Sequence, residues 1–422
     1  VSEGSYSLPG MPALYDTDAE TGETLTITLR EACSDVRVQL LYGVFEQADI
    51  ITRALKVWNG GQTPVDLEKV LSMSMDIPFG DFDMIYFAGR HAMERTAERL
   101  PVRRAGVRIG SVRGTSSHQY NPAMILCSPN ADEDAGDCYG FCFVYSGNFT
   151  ASAQQDQRNQ TRIQMGIHPD FFSIRLAPGE IFCAPQVILS YSSRGLTALS
   201  RSYHRILREH MCRGPWKHAR RPVLINNWEA TYFDFNREKL LAIASQAAEL
   251  GIEMLVLDDG WFGKRDDDNS GLGDWFVNTE KLGGTLTDLS EQIHRMGMKF
   301  GLWFEPEMVS EDSDLYRAHP DWALTIPGRE PNRGRNQLVL NMARPDVRDY
   351  LLERLTDILS NAKIDYVKWD MNRSICDIFS SCSGTERTGE LYHRYVLGVY
   401  ELLEGFLARF PHILLEGCSG GG

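Results

Sequence analysis

The segment Tyr366-Val-Lys-Trp-Asp-Met-Asn372 holds the residue types best suited to covalent chemistry. Read as a strand, alternate residues share one face, so Tyr366, Lys368 and Asp370 point together. An ammonium two residues from a carboxylate favours the ionised form and lowers its pKa. An ionised carboxylate is what a covalent nucleophile requires; a structural Lys–Asp pair in a sheet core is the plainer alternative. A second acidic segment is Asp258-Asp259-Gly260-Trp261. Paired carboxylates accept hydrogen bonds from neighbouring sugar hydroxyls, and an indole offers a flat apolar surface. A metal site or an acid/base dyad are the other readings. The following triplet Asp266-Asp267-Asp268 lacks the twelfth-position Glu of a calcium loop and reads as a solvated loop. Trp228 and Trp303 fall at strand ends and are expected to form an open aromatic wall, whereas Trp369 faces away from Asp370 into the core. Arg333 and Arg335 lie in a Gly/Pro/Asn-rich loop, where surface solvation is the default. The sequence has no G-x-S-x-G elbow, Walker loop or H-E-x-x-H motif, and its histidines form no cluster.

The elements that position these residues show two rhythms. Up to about residue 190, short alternating strands such as 36–45 and 141–147 are separated by Gly, Pro, Asn and Asp turns, the pattern of a β-sandwich. Helical periodicity follows over 196–211, then a basic linker up to Pro222. From residue 223, near-continuous apolar strands alternate with helices: strands 223–228, 253–259, 299–307, 364–370 and 412–417, and helices 236–250, 286–297, 346–360 and 389–409. Such strands make a parallel sheet buried on both faces. Their polar residues all stand at the C-terminal ends (Asn226, Asn227 and Trp228; Asp258 and Asp259; Trp303 and Glu305; Lys368 and Asp370; Glu416 and Cys418), as on the functional face of a TIM-type barrel. An open doubly wound sheet would add a Gly-rich phosphate loop, which is absent. The expected organisation is therefore a β-supersandwich over 1–195, a helix and linker over 196–222, and a (β/α)8 barrel over 223–422 represented by its first five strands. About three further strands are expected beyond Gly422, and both ends of the sequence read as cut.

Composition narrows the partners. A net charge of −14 opposes nucleic acid and anionic membranes, and no apolar run reaches the length of a span. The nine cysteines are dispersed, without zinc-ribbon spacing. They read as reduced, mostly buried intracellular thiols, which places the protein in the cytoplasm. The sequons at Asn148, Asn159 and Asn372 occur at chance frequency and do not establish secretion.

The second half resembles glycoside hydrolase family 36, the large bacterial-type α-galactosidases. The motifs that carry the resemblance are NNWEATYFDF (226–235), LDDGWFG (257–263), GDWFVN (273–278), GLWFEPEMV (301–309), YVKWDMNR (366–373) and EGCSGGG (416–422). RGTSSHQYNP (113–122) and YSGNF (145–149) extend it to the family's N-terminal supersandwich. The resemblance implies a retaining α-galactosidase acting on melibiose- or raffinose-type oligosaccharides, with Asp370 as nucleophile. It implies that Asp258 and Asp259 hold the 4- and 6-hydroxyls, that Lys368 contacts hydroxyls near the nucleophile, and that Trp228 and Trp303 line the −1 subsite. Arg335 would help close it, while Cys418 and Gly420 would pack near the 2-hydroxyl. The family's acid/base, in a W-T-S-D-D-like motif, is expected beyond Gly422, so the 422-residue piece alone is expected to be inactive and unable to close its barrel. A transglycosylase or α-N-acetylgalactosaminidase on the same barrel is the alternative within enzymes; a non-catalytic carbohydrate-binding protein is the alternative outside them. No metal or organic cofactor is expected. The resemblance implies a homo-oligomer, specifically a tetramer, and 81–120 is the expected contact segment, being long, mixed in charge and poor in strand pattern.

Overall fold

The computed structural model describes residues 1–380 and 385–420, the side chains of 385 and 386 excepted. The chain forms two compact units. One contains residues 1–212 and 385–393, the other residues 213–380 and 394–420.

The first unit is built on antiparallel sheets. A nine-stranded sheet runs, in spatial order, through Ser2–Glu3, Glu23–Arg30, Val36–Phe45, Ile50–Asn59, Ile181–Ser192, Cys138–Phe143, Tyr120–Cys127, Asp83–Arg90 and Met93–Pro101. A four-stranded sheet of Met73–Ile77, Thr161–Ile167, Phe149–Gln155 and Val107–Ser111 packs on it. Alternation decides the faces: Ala151, Ala153, Ile163 and Met165 point inward with Met124, Leu126, Phe141 and Phe143, and all are buried. The opposite face of the large sheet carries the helix Gly195–His210, whose Leu199 and Ile206 are buried. Gly140 permits that contact, since a Cβ there would lie 2.5 Å from the Tyr203 ring.

Two expectations for this unit are corrected. Residues 81–120 are not poor in strands but supply Asp83–Arg90, Met93–Pro101 and Val107–Ser111. The alternation is masked because Met93–Pro101 is an edge strand carrying Glu94, Arg95, Glu98 and Arg99, the charges that guard an edge against further pairing. Nor are the cysteines mostly buried. Cys127 and Cys138 are buried free thiols, Cys142 and Cys183 half-buried ones, and Cys33, Cys212 and Cys376 exposed ones on connecting segments; Cys418 is half-buried. Cys382 lies outside the described residues. The large sheet also leaves Leu25, Ile27, Leu29, Val44 and Ile51 exposed on one face of neighbouring strands.

The second unit is a curled, all-parallel sheet: β1 (Leu224–Asn226), β2 (Met254–Leu257), β3 (Lys299–Phe304), β4 (Tyr366–Trp369) and β5 (Leu414–Gly417). Its strands pair in sequence order, with none of the reversal of a doubly wound sheet, so this is an arc of a (β/α) barrel. The intervening helices are α1 (Arg237–Glu249), α2 (Leu286–Arg295), α3 (Pro345–Asn361) and α4 (Leu391–Arg409). Local chemistry fixes their starts. Asn236 accepts the Lys239 amide, Thr285 and Asp288 form a capping box, and Pro345 opens α3 where its missing N–H costs nothing. Met254 to Leu257 and Phe300 to Phe304 are buried throughout, as both faces of such a sheet must be. No helix among the described residues is long and apolar enough to cross a membrane.

Candidate active site

The loops after β1, β2, β3, β4 and β5 bring the polar strand-end residues of the second unit together. Asp370 follows β4 immediately, and its amide donates to Phe304 O at 2.8 Å, which anchors it beside the end of β3. Four donors surround its carboxylate. Oδ2 accepts Trp303 Nε1 at 3.0 Å and Asn372 Nδ2 at 2.7 Å; Oδ1 accepts the amides of Met371 at 2.9 Å and Gly420 at 3.1 Å. Burial works to raise this carboxyl. The Trp303, Asn372 and Gly420 donors and the charge of Lys368 outweigh it, so Asp370 is held below its ordinary value.

Lys368 does share the surroundings of Asp370, but its hydrogen bond goes elsewhere. The alternation argument paired it with Asp370; in the structure its Nζ reaches across β3 to Asp258 Oδ2 at 2.9 Å. The curl of the sheet brings the ends of β2 and β4 within reach of one another. Burial opposes the Lys368 charge, and the Asp258 carboxylate restores it, leaving the ammonium above its ordinary value. Asp258 is further fixed by Asn226 Nδ2 at 2.6 Å, and its own amide donates to Asn227 Oδ1 at 2.8 Å. Asn226 Oδ1 in turn accepts the amide of Trp228, which opens a short helix (Trp228–Thr231) rather than ending the strand.

Asp259 turns away from Asp258 and meets Arg265. The guanidinium grips it bidentately, Nε to Oδ1 at 3.0 Å and Nη2 to Oδ2 at 2.9 Å, with both side chains buried. Burial pushes the Asp259 carboxyl up. The guanidinium, protonated at any working pH, opposes that shift without cancelling it, so the carboxyl stays above its ordinary value. Arg265 was not anticipated. The available signal was an arginine set between two acidic runs, where a partner of either sign was to be expected.

The open aromatic wall expected of Trp303 is corrected. Trp303 is 2% exposed and lies against Phe262 and Trp275 at ring separations of 6.2 and 6.4 Å, with Trp261 Nε1 donating to its carbonyl at 3.0 Å. The loop between β2 and α2 folds Trp261, Phe262 and Trp275 over it, leaving only its Nε1 edge in use at Asp370. Trp228 is half-buried, edge-on to Tyr232 and Phe233. Trp369 points into the core, donating to Glu307 Oε1 at 3.1 Å. Cys418 sits after β5, its amide bonded to Trp369 O at 2.8 Å. Gly420 contributes through its backbone, while Gly421 and Gly422 lie outside the described residues.

Arg335 is not brought into this cluster. It occupies a turn, is half exposed, and comes no nearer than 3.9 Å to Asp268. Asp268 lies 3.7 Å from Arg265, so the two acidic segments are linked through that arginine. The residues of this cluster that sequence reasoning missed are Arg265, Gln337 and Asn372; Asn226 was read only as a polar residue at its strand's end. Glu305, seen only as a strand-end carboxyl, is buried beside Asp370. Among the described residues no group of three or more His, Cys, Asp or Glu side chains is arranged to hold a metal ion.

Carboxylates and an ammonium thus converge at the C-terminal ends of the barrel strands. A family model described as Melibiase matches residues 181–422, and one described as the glycosyl hydrolase family 36 N-terminal domain matches residues 1–177. The chain belongs to glycoside hydrolase family 36. It is 52% identical to the bifunctional alpha-galactosidase/sucrose kinase AgaSK of Mediterraneibacter gnavus, over 100% of this chain and 44% of that protein. It is 49% identical to alpha-galactosidase AgaA of Geobacillus stearothermophilus, over 100% of this chain and 58% of that protein. The crystal structure of AgaA matches with a TM-score of 0.97 over 99% of this chain and 58% of that one. The chain thus spans roughly half the length of these relatives.

Proposed function

We propose that this chain carries the sugar-binding shell and the nucleophile of a retaining α-galactosidase. The observation that carries the reading is the Asp370 carboxylate, buried yet kept ionised by four donors and placed one residue past a barrel strand. Such a group attacks an anomeric carbon and forms a galactosyl ester as the glycosidic C1–O bond breaks and the aglycone oxygen leaves with a proton from a general acid; water then cleaves the ester with net retention. Asp258, held between Asn226 and Lys368, and Asp259, held by Arg265, present fixed acceptors for the 4- and 6-hydroxyls. Trp228 supplies an apolar edge, Lys368 donates to hydroxyls near the nucleophile, and Cys418 and Gly420 limit the room at the 2-hydroxyl, which favours galactose over its N-acetylamino counterpart. Arg335 closes the site from its turn once sugar is bound. The relatives support the substrate class: variants of AgaA have been crystallised with stachyose and with raffinose. No general acid is assigned to Asp258 or Asp259, which cations engage, or to Glu305, which is enclosed. The same reading takes the protein as cytoplasmic, in keeping with the free thiols of Cys33, Cys127, Cys138 and Cys212, and as a homo-oligomer. The exposed apolar strip of Leu25, Ile27, Leu29, Val44 and Ile51 fits subunit contact better than 81–120 does.

An activated donor tests the nucleophile directly, since a good leaving group needs no acid. Incubation of the chain with 2,4-dinitrophenyl α-galactoside should add one galactosyl group to the peptide containing Asp370. Asp370→Asn should slow release of dinitrophenolate by about 10⁴-fold or more. A label on any other residue, or unchanged release by the variant, removes Asp370 from the role.

A further inference from the structure

A buried line of polar groups joins the turn bearing Arg335 to the nucleophile. Gly334 and Gln337 close a two-residue turn whose central residues, Arg335 and Asn336, both adopt left-handed backbone at φ 54° and 60°. An arginine is strained in that region, so the surrounding contacts must hold the turn in place. One of them is Gln337, buried, with Nε2 donating to Glu305 Oε1 at 3.0 Å. The same oxygen accepts the Asn372 amide at 2.6 Å, and Asn372 Nδ2 donates to Asp370 Oδ2 at 2.7 Å. Glu305 stands immediately after β3 and is 1% exposed.

The charges around Glu305 come from several elements. Asp370 after β4 and Asp259 after β2 are negative, Arg265 in the β2–α2 loop is positive, and the Tyr395 hydroxyl of α4 is neutral. Burial first, then the Asp370 and Asp259 charges, push the Glu305 carboxyl up to about 8. It therefore carries a proton throughout the range in which Asp370 titrates.

We propose that Glu305 and Asn372 are positioning residues for Asp370, with Glu305 acting as a neutral acid that fixes the Asn372 amide against the nucleophile. The inference rests on Asp370 being the nucleophile. Two adjacent carboxyls do not both ionise cheaply in a dry site. A protonated Glu305 accepts two N–H groups without placing a like charge beside Asp370, and Asn372 then spends its side-chain N–H on the ionised Asp370. Removing that donor must raise the Asp370 pKa.

The test combines the pH dependence of dinitrophenyl α-galactoside cleavage with carboxyl ¹³C titration of the chain, for wild type, Glu305→Gln, Glu305→Ala and Asn372→Ala. A hydrogen bond to a charged group is worth enough that Asn372→Ala and Glu305→Ala should move the acid limb up by about one to two pH units and slow galactosylation about 10- to 100-fold, with KM little changed. Glu305→Gln keeps the acceptor oxygen and the neutral charge, so its acid limb should stay at the wild-type position. A purely structural Glu305 would lower stability without moving that limb. If Glu305→Ala does not fold, Asn372→Ala, at a half-buried residue, carries the same prediction. Unmoved limbs in the foldable variants, or a Glu305→Gln indistinguishable from Glu305→Ala, overturn the proposal. Should wild type take no galactosyl label, the nucleophile assignment has failed instead. The ¹³C titration then decides Glu305 separately: a midpoint near 8 is expected, and one near the ordinary 4.5 refutes the neutral acid.

Discussion

Arg162 and Asp76 pair across two strands of the antiparallel unit with side chains 60% and 43% exposed, whereas Arg265 and Asp259 pair in the parallel-sheet unit at 2% and 7%. Both are bidentate Arg–Asp pairs with bonds of 2.8 to 3.2 Å. Their surroundings make them different objects. Water screens the first, and either partner can leave it at small cost. The second has lost its hydration, which only a close, well-aligned partner offsets. Packed apolar residues would hold a barrel loop at least as well, so a buried pair of this kind is explained by what the carboxylate is for. Asp258 with Lys368 and Asp370 with its four donors follow the same pattern. The parallel-sheet unit concentrates its desolvated charge at one end of its strands, whereas Arg–Asp pairs of the antiparallel unit such as Arg30–Asp35, Arg162–Asp76 and Arg175–Asp66 keep contact with water.

Arg265→Ala should expose this contrast most strongly. It strands Asp259 in a dry site, and breaking a buried pair from one side costs about 3–5 kcal/mol. Urea denaturation at neutral pH should show a loss of that size, and the loss should shrink in acid, where Asp259 takes up a proton. A loss no larger than that of a surface pair would mean that water reaches Asp259. Lys368→Met comes next. Asp258 keeps Asn226 as a donor, so the expected loss is about 1–3 kcal/mol. Its pH dependence has a defined sign. The Lys368 pKa is raised in the folded state, so its stabilisation is complete below the unfolded value of about 10.4 and is lost as pH rises through the folded value. Wild type should therefore begin to converge on Lys368→Met only above the unfolded value, and curves that stay parallel there would argue against the pairing.

Strand positions and Asp370 were legible because they depend on local pattern. A run such as Met254 to Leu257, apolar on both faces, reads as a buried parallel strand wherever it occurs, and a polar residue directly after it lands at the barrel's working end. The partners were not legible in the same way. Lys368 lies two residues from Asp370 and 110 from Asp258, and only the curl of the sheet makes the distant carboxylate the closer one. Trp303 looked like a surface for sugar because its cover, Trp261, Phe262 and Trp275, comes from another loop. Glu305 carried a signal that went unread: a lone carboxyl ending the apolar run Phe300 to Phe304 must be buried, and a buried carboxyl needs either a cation or a proton. No cation adjoins it in sequence, so the proton was the inference available. The antiparallel edge at Met93–Pro101 was missed for the opposite reason, since its charges are there to prevent pairing and erase the alternation that marks a strand.

The smallest expected effect is the control for the whole comparison. Arg162 and Asp76 face each other on adjacent strands, in register through the Arg162–Asp76 pairing of Thr161–Ile167 with Met73–Ile77. The Arg162 side chain holds the Asp76 carboxyl below its ordinary value, chiefly by hydrogen bonding. That shift reports local geometry at an exposed site, where holding two flexible side chains together loses as much as the screened attraction returns. Arg162→Ala should leave the denaturation curve superimposable on wild type at moderate salt, although Asp76 titrates closer to an ordinary aspartate. A stability loss comparable to that of Lys368→Met would show that this surface is covered in solution, and would place the missing cover, such as a second subunit, on the four-stranded sheet instead of on the apolar strip around Ile27. The pair is thus a probe of which face of the first unit is free.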